Sequence, residues 1–439
     1  MKPLLCSLFS SEVRIGHSLS EAERQHLARR RETILQCLEQ NGISCSEVPN
    51  IAVLGSGGGL RAMVGLLGSL CQLKEEGLLD CIMYLCGVSG STWCMASLYK
   101  EPDWSTKLDL VKNDIVQRLA DGSVSLKEMG QKLAKYYSEK DHFSLTDVWS
   151  ALIVSNMVNE IDEHKLTEQR GKYTKDPYPI YTVIDKQCKY DRLNADPWFE
   201  ITPDESGYSL SGAFVDSSFL GSEFENGKNI KKQPEIDMLY LQGNSHQDEN
   251  KMIKHWIAIL RSIEKLVRWT WGTNNNYLYK MKVESADSSV SQSKTREYED
   301  SGLLLNSPYF SVLRKEQDID LIISLDFSEG DPFKTVVQTA EKCKDLQIPF
   351  PEVVLPAKNT EPQDFYVFKG SSDAPTVIHI PLFNAVNCKG KYMSKWVKTY
   401  STFQMNYSRE MITNLLEKAG LNIKNNKEKL LKEIGNVTG

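Results

Sequence analysis

Residues 51–100 read IAVLGSGGGLRAMVGLLGSLCQLKEEGLLDCIMYLCGVSGSTWCMASLYK, and they decide the fold. Twice in this stretch a short apolar run leads into a glycine turn and then into a helix-forming segment. The first run, residues 51–54, is followed by Gly55, Gly57, Gly58 and Gly59. The second, residues 81–86, is followed by Gly87-Val88-Ser89-Gly90-Ser91. Short, wholly apolar strands suit a parallel sheet covered on both faces. The order strand, helix, strand, helix predicts an α/β core with right-handed crossovers. Residues 60–75 read as the first of these helices. Its small residues Ala62, Gly65 and Gly68 permit close packing against the sheet.

Outward from this centre, residues 20–41 form a helix. Ser20 caps it, Glu23 stands three residues on, and Asn41-Gly42 ends it. Residues 105–139 are helical with charged faces, and another helix gathers around Leu145, Val148 and Trp149. From Asp176 the texture changes. A proline-rich lead opens a strand near residues 178–185, and residues 198–202 and 209–214 read as further strands. Residues 228–248 are polar and loop-like. Residues 252–271 form an amphipathic helix carrying Ile253, Trp256, Ile257, Leu260 and Leu266. Residues 283–299 are serine-rich and charged, the pattern of a mobile loop. Residues 319–327 and 376–380 are buried strands, residues 335–344 a helix, and the tail from 403 to 434 is largely helical.

The chain has 439 residues, 41% of them hydrophobic, enough for a large core. Its 52 basic and 58 acidic residues leave a net charge of -6, which argues against a nucleic-acid binder. A local patch would still suffice for contact with a lipid surface. The ten cysteines are scattered, without a C-x-x-C pair, and read as reduced, mostly buried thiols of a cytosolic protein. The seven histidines do not cluster with them, so no zinc site is expected. The start, MKPLLCSLFSS, is at most a weak signal-peptide pattern, and a charged stretch follows soon after. No apolar run approaches the roughly 18 residues of a spanning helix.

Ser89 is the candidate nucleophile. A serine between glycines at a strand-to-helix turn adopts the strained elbow that lifts its hydroxyl off the sheet edge. The helix N-terminus beyond it favours developing negative charge. The usual G-x-S-x-G pattern has glycine at its fifth position, where this chain has Ser91; a plain glycine–serine turn fits the same residues. The run Gly57-Gly58-Gly59 exposes consecutive N–H groups, an anion-binding nest. No G-K-[ST] follows it, and Leu60 stands where G-x-G-x-x-G needs its last glycine. An oxyanion hole beside Ser89 therefore fits better than a phosphate or dinucleotide site, with tight helix packing as the plainer alternative. Arg61 sits in the first helical turn, against the helix dipole. That cost is accounted for if the side chain reaches a phosphate or carboxylate; a surface arginine is the other reading.

A general base is harder to find. His142, His164, His246, His255 and His379 all follow Ser89, but none stands at a strand tip before a turn, and His379 lies inside the strand VIHIPLF. Asp300, in Asp300-Ser301-Gly302 ahead of Leu303, Leu304 and Leu305, serves as a base if burial raises its pKa. An ordinary turn aspartate is the competing reading.

GSGGGLRAM, GVSGSTW and DSGLLLNSPY together resemble the catalytic domain of the group IV cytosolic phospholipase A2 family, related to patatin-like lipases. The resemblance spans residues 21–434. It points to the calcium-independent gamma branch, which lacks an N-terminal calcium-binding C2 domain. It implies an α/β fold with a mostly parallel central sheet flanked by helices, and one catalytic domain over residues 1–439, variable near 228–250 and 283–299. By the same resemblance Ser89 is the nucleophile of a serine–aspartate dyad with Asp300. Gly58 and Gly59 are the oxyanion glycines, and Arg61 is the arginine for the substrate phosphate. The implied activity is phospholipase A2, with lysophospholipase and transacylase activity through an acyl-serine, and no metal or other cofactor. Phospholipid and lysophospholipid at a membrane surface are the expected partners, with no nucleic acid and no obligate protein partner. The implied setting is the cytoplasm, with peripheral association with intracellular membranes such as the endoplasmic reticulum.

Three features depart from the family. TREYE precedes Asp300 where an apolar strand is usual, no C-terminal prenylation cysteine is present, and the lid counterpart at residues 228–268 is short. A non-catalytic lipid-binding protein that kept the fold is the rival class, and a nucleotide-binding protein a distant third.

Overall fold

The computed structural model describes residues 13–190, 197–244, 272–283, 288–357, 360–388, 393–402 and 404–438. The apolar start, the amphipathic segment 252–271, His246 and His255 lie outside the described residues. In chain order the strands are β1 (Arg14–Ile15), β2 (Ile51–Gly55), β3 (Tyr84–Gly87), β4 (Tyr178–Asp185), β5 (Trp198–Ile201), β6 (Glu205–Tyr208) and β7 (Ala213–Asp216). They continue with β8 (Glu223–Glu225), β9 (Lys228–Lys231), β10 (Thr273–Asn275), β11 (Thr295–Asp300), β12 (Leu321–Asp326), β13 (Tyr366–Phe368) and β14 (Thr376–Pro381).

Twelve of them make one sheet. Its main path runs β1-β7-β6-β5-β4-β3-β2-β12-β14-β13, with β11 joined to β4 and β10 to β11. The five central strands, β4-β3-β2-β12-β14, are parallel, and antiparallel strands extend them on both sides. Every residue of β2, β3, β12 and β14 is buried. Continuous apolar sequence is what a parallel strand with both faces covered requires.

Helix α1 (Glu21–Gln40) is capped by Ser20, whose side chain accepts the Glu23 N–H at 3.1 Å. Helices α2 (Leu60–Glu75) and α3 (Gly90–Leu98) are buried along nearly their whole length. The small residues of α2 do more than fit it to the sheet. A Cβ at Gly68 would lie 2.6 Å from the Leu416 carbonyl oxygen, so this glycine admits the helix Arg409–Asn425. A Cβ at Gly65 would lie 2.7 Å from the Phe327 ring. The nine described cysteines are free and eight of them are buried, in keeping with their scattered, apolar settings.

Three sequence expectations give way. The segment 209–214 is not one strand: β6 ends at Tyr208, and the chain turns through Gly212 at φ +64° before β7. The polar stretch from 228 contains β9 and then a wholly buried helix, Met238–Asn244. The apolar Met238, Leu239, Tyr240 and Leu241 outweigh their polar flanks. The supposed mobile loop before Asp300 contains a short helix, Ser288–Gln292, and then β11.

The polar strand β11 is held by a buried ion pair. Arg296 Nε donates to Asp185 Oδ2 of β4 at 2.6 Å, and both side chains are fully enclosed. Tyr208 OH donates to the same oxygen at 2.6 Å. The Gln187 N–H reaches Asp185 Oδ1 at 2.9 Å. Removing one member of such a pair strands the other charge in a buried site. Arg296→Ala is expected to lower the unfolding free energy by about 3–5 kcal/mol in urea titrations. A loss below about 1 kcal/mol, the scale of an exposed pair, would contradict a fastening role.

Candidate active site

The chain moves outward through β2, β3 and β4 on one side of the sheet, and through β12 and β14 on the other. In open α/β sheets a ligand crevice lies beyond the carboxyl ends of the strands at such a switch point. Both glycine turns and residues 327–329 sit at these ends.

Ser89 follows β3 at φ 53° and ψ −125°, the left-handed side of backbone space that side chains other than glycine avoid. Holding it there costs about 1–3 kcal/mol. The neighbours enforce it. A Cβ on Gly90 would overlap the Gly59 carbonyl oxygen and stand 2.9 Å from Gly59 N, so the glycine loop rests directly on the serine turn. A Cβ on Gly57 would be 3.0 Å from the Ser89 Cβ. Ser91, the departure from the usual pattern, links the two turns: its hydroxyl donates to the Ser56 carbonyl at 2.7 Å. It also fills the space over Gly55, where a Cβ would lie 2.6 Å from its oxygen.

Gly58 and Gly59 have φ 153° and 59°, and Gly59 is the N-cap of α2. Gly57 donates its N–H to the Asn306 carbonyl at 3.0 Å. Among the described residues the N–H groups of Gly58 and Gly59 have no protein acceptor. Two such donors at the start of a 16-residue helix suit an anion.

Asp300 reaches the same place from the far side. Strand β4 pairs with β5 along one edge. Its other edge is shared, first by β3, with Gly87 opposite Tyr181, and then by β11, with Asp300 opposite Val183. Strands β3 and β11 thus approach end to end, and the turn carrying Ser89 meets the end carrying Asp300. Asp300 is 6% exposed and Ser89 2%. Asp300 Oδ1 accepts the Gly302 N–H at 2.8 Å, which orients the carboxylate as it caps the short helical turn Ser301–Leu303.

Arg61 is not a surface arginine. It is 1% exposed, and its guanidinium is engaged by the protein. Nε donates to the Phe327 carbonyl at 2.7 Å, Nη1 to the Tyr400 carbonyl at 2.6 Å, and Nη2 to the Thr402 hydroxyl at 3.0 Å. Nη1 also lies 3.5 Å from Glu329 Oε2. Burial pulls the guanidinium below its ordinary pKa, against the opposing pull of Tyr407 and Glu329. Burial raises the Glu329 carboxyl, but the Thr402 N–H and hydroxyl together with Arg61 bring it below its usual value. The arginine therefore joins α2 to the segments after β12 and before the helix Arg409–Asn425. Its Nη2 lies 3.0 Å from where a Gly58 Cβ would begin, so it abuts the glycine loop.

The described histidines that follow Ser89 have partners elsewhere. His142 Nε2 is 2.8 Å from Asn275 Oδ1, and His164 Nδ1 is 2.9 Å from Asp162 Oδ1. His379 is wholly buried inside β14 and donates Nε2–H to the Pro332 carbonyl at 2.7 Å; burial lowers its pKa. Among the described residues no group of three or more His, Cys, Asp or Glu is placed to hold a metal ion. Sequence reasoning passed over Asn306, whose side chain donates to the Gly57 carbonyl at 3.2 Å. Its place inside DSGLLLNSPY was the available signal.

Residues 51–246 match the family model described as a lysophospholipase catalytic domain. The chain is 31% identical to human cytosolic phospholipase A2 gamma, over 98% of this chain and 97% of that protein. The structure of human GIVD cytosolic phospholipase A2 superposes with a TM-score of 0.82 at 23% identity, covering 97% of this chain and 68% of that one. The same human protein in complex with methyl gamma-linolenyl fluorophosphonate gives a TM-score of 0.79 at 25% identity, covering 98% and 66%.

Proposed function

The chain belongs to the cytosolic phospholipase A2 family and is a phospholipid hydrolase, and from that premise we propose that it cleaves fatty-acyl esters through a Ser89–Asp300 dyad. The observation that carries the proposal is the shared edge of β4, where β3 and β11 meet. Asp300 takes the proton from the Ser89 hydroxyl. Its Oδ1 accepts the Gly302 N–H at 2.8 Å, which orients the carboxylate for that transfer. Ser89 Oγ attacks the ester carbonyl, and the carbonyl oxygen gains negative charge. The Gly58 and Gly59 N–H groups stabilise that charge; one such donor is typically worth about 2.7–4 kcal/mol in the barrier. The carbon–oxygen bond to the glycerol breaks, the lysophospholipid leaves with a proton, and an acyl-serine remains. Water activated by Asp300 releases the fatty acid. A lysophospholipid accepting the acyl group in place of water gives transacylation. No step calls for calcium.

For Arg61 the reading is a double role. It braces the glycine loop through its carbonyl acceptors, and its charge beside Gly58 attracts the substrate phosphate. We place residues 1–439 in one catalytic domain, and the site of action at a membrane surface. Leu303 and Leu304, just beyond Asp300, are 43% and 37% exposed, which leaves an apolar rim suited to lipid. Among the described residues no helix is long and apolar enough to cross a membrane.

Ser89→Ala is expected to abolish hydrolysis of phosphatidylcholine vesicles, and Asp300→Asn to reduce it at least about 1000-fold, with both variants folded by circular dichroism. Activity should persist with a calcium chelator present. Residual turnover near wild type in either variant would refute the dyad. Leu303→Asp with Leu304→Asp should lower turnover on vesicles about tenfold and leave hydrolysis of a soluble short-chain ester nearly unchanged. Equal losses on both substrates would refute the apolar rim.

A further inference from the structure

We infer that Asn306 is a positioning residue that keeps the oxyanion loop in register with the Asp300 segment, an inference that rests on the dyad reading above. Asn306 lies six residues after Asp300 in the chain and holds Gly57 at two points. Its main-chain carbonyl accepts the Gly57 N–H at 3.0 Å, and its side-chain Nδ2 donates to the Gly57 carbonyl at 3.2 Å. The Gly57 oxygen can only accept, so the amide must turn Nδ2 toward it. That orientation leaves Oδ1 between the two glycines that flank the proposed dyad. A Cβ on Gly57 would overlap this oxygen, and a Cβ on Gly302 would lie 2.9 Å from it.

The orientation is fixed from behind. Asn306 Nδ2 also donates to the Ser328 hydroxyl at 2.7 Å. Ser328 Oγ in turn donates to Asp326 Oδ1 at 2.5 Å. The Ser56 hydroxyl reaches the same carboxylate oxygen at 3.2 Å and accepts the Phe327 N–H at 2.6 Å. Ser56 is bonded to Gly57, so the circuit closes: Gly57, Asn306, Ser328, Asp326, Ser56 and Gly57 again. It ties the ends of β2 and β12 to the segment that leaves β11. Asn306 is the one member of this ring that follows directly from the Asp300 turn. The glycine N–H groups and the carboxylate must be placed together within a fraction of an ångström, and this ring is the path that couples them.

The ring predicts how its members fail. Asn306→Ala keeps the main-chain bond and loses both side-chain bonds. It should lower kcat by about 10–100-fold with KM within about twofold, the cost of a misplaced site. The rate at which a long-chain fluorophosphonate phosphonylates Ser89 should fall in parallel, since that reaction uses the same amides. Ser328→Ala frees the back of the amide and should lower kcat by about 3–10-fold. The double variant should match Asn306→Ala to within about 1.5-fold, because both act through one contact.

Wild type and Ser89→Ala are measured alongside. If wild type turns over, Ser89→Ala is inactive and Asn306→Ala retains kcat within about threefold, the inference fails while the dyad stands. It fails equally if the loss appears only in KM, or if the two single effects multiply in the double variant. If wild type neither hydrolyses phospholipid nor reacts at Ser89, the dyad reading and this inference fall together. Thermal melting of every variant separates a displaced loop from an unfolded chain.

Discussion

The join of β11 to β4 through Arg296 and Asp185 is the contact on which the site depends. Strand β4 lends one edge to two strands that arrive from opposite directions, so whatever fixes β11 there also fixes the distance between the serine turn and the aspartate. Backbone pairing alone is a weak guarantee for a strand reading Thr-Arg-Glu-Tyr-Glu-Asp, which has no continuous apolar face. The enclosed ion pair, with Tyr208 completing the shell of Asp185, makes any slipped register unfavourable: a shift by one residue would turn Arg296 away from its partner. The stability of this element fixes where Asp300, at its tip, stands.

Close backbone contact does the corresponding work on the other side. Ser89 holds a conformation that an isolated peptide would abandon, and it is kept there because the glycine loop lies against its successor, Gly90. The same contact sets the Gly59 backbone against Gly90, one residue from the serine. Strain and preorganisation have one cause: two turns at neighbouring strand ends, each too small to admit a side chain from the other. Ser91 adds a bond between the turns, so a residue that departs from the usual pattern strengthens the arrangement that pattern serves.

Much of the sheet was legible because its central strands are short and apolar, and β2 and β3 end in glycine turns. Helix α2 spans the residues its composition suggested, Leu60–Glu75, and β14 lies where VIHIPLF placed it. The failures have separate physical reasons. Strand β11 is itself polar and its burial depends on a distant partner, Asp185; the short apolar core of Met238–Asn244 is masked by polar flanks. Spacing pointed to the glycines and Ser89, whereas Asp300 reads equally as a turn aspartate and is singled out only by the resemblance of DSGLLLNSPY to the family. The surroundings of Arg61 were not legible, since main-chain carbonyls at Phe327 and Tyr400 leave no trace in a side-chain pattern. Asn306 was hidden for the same reason: its partner is the backbone of Gly57.

The most direct test is a crystal structure of the chain after reaction with a long-chain alkyl fluorophosphonate, whose phosphonyl group stands for the tetrahedral intermediate. The account predicts phosphorus bonded to Ser89 Oγ, with the phosphonyl oxygen about 2.7–3.1 Å from both the Gly58 and Gly59 nitrogens. An adduct on another residue, or a phosphonyl oxygen turned away from those two amides, would contradict it.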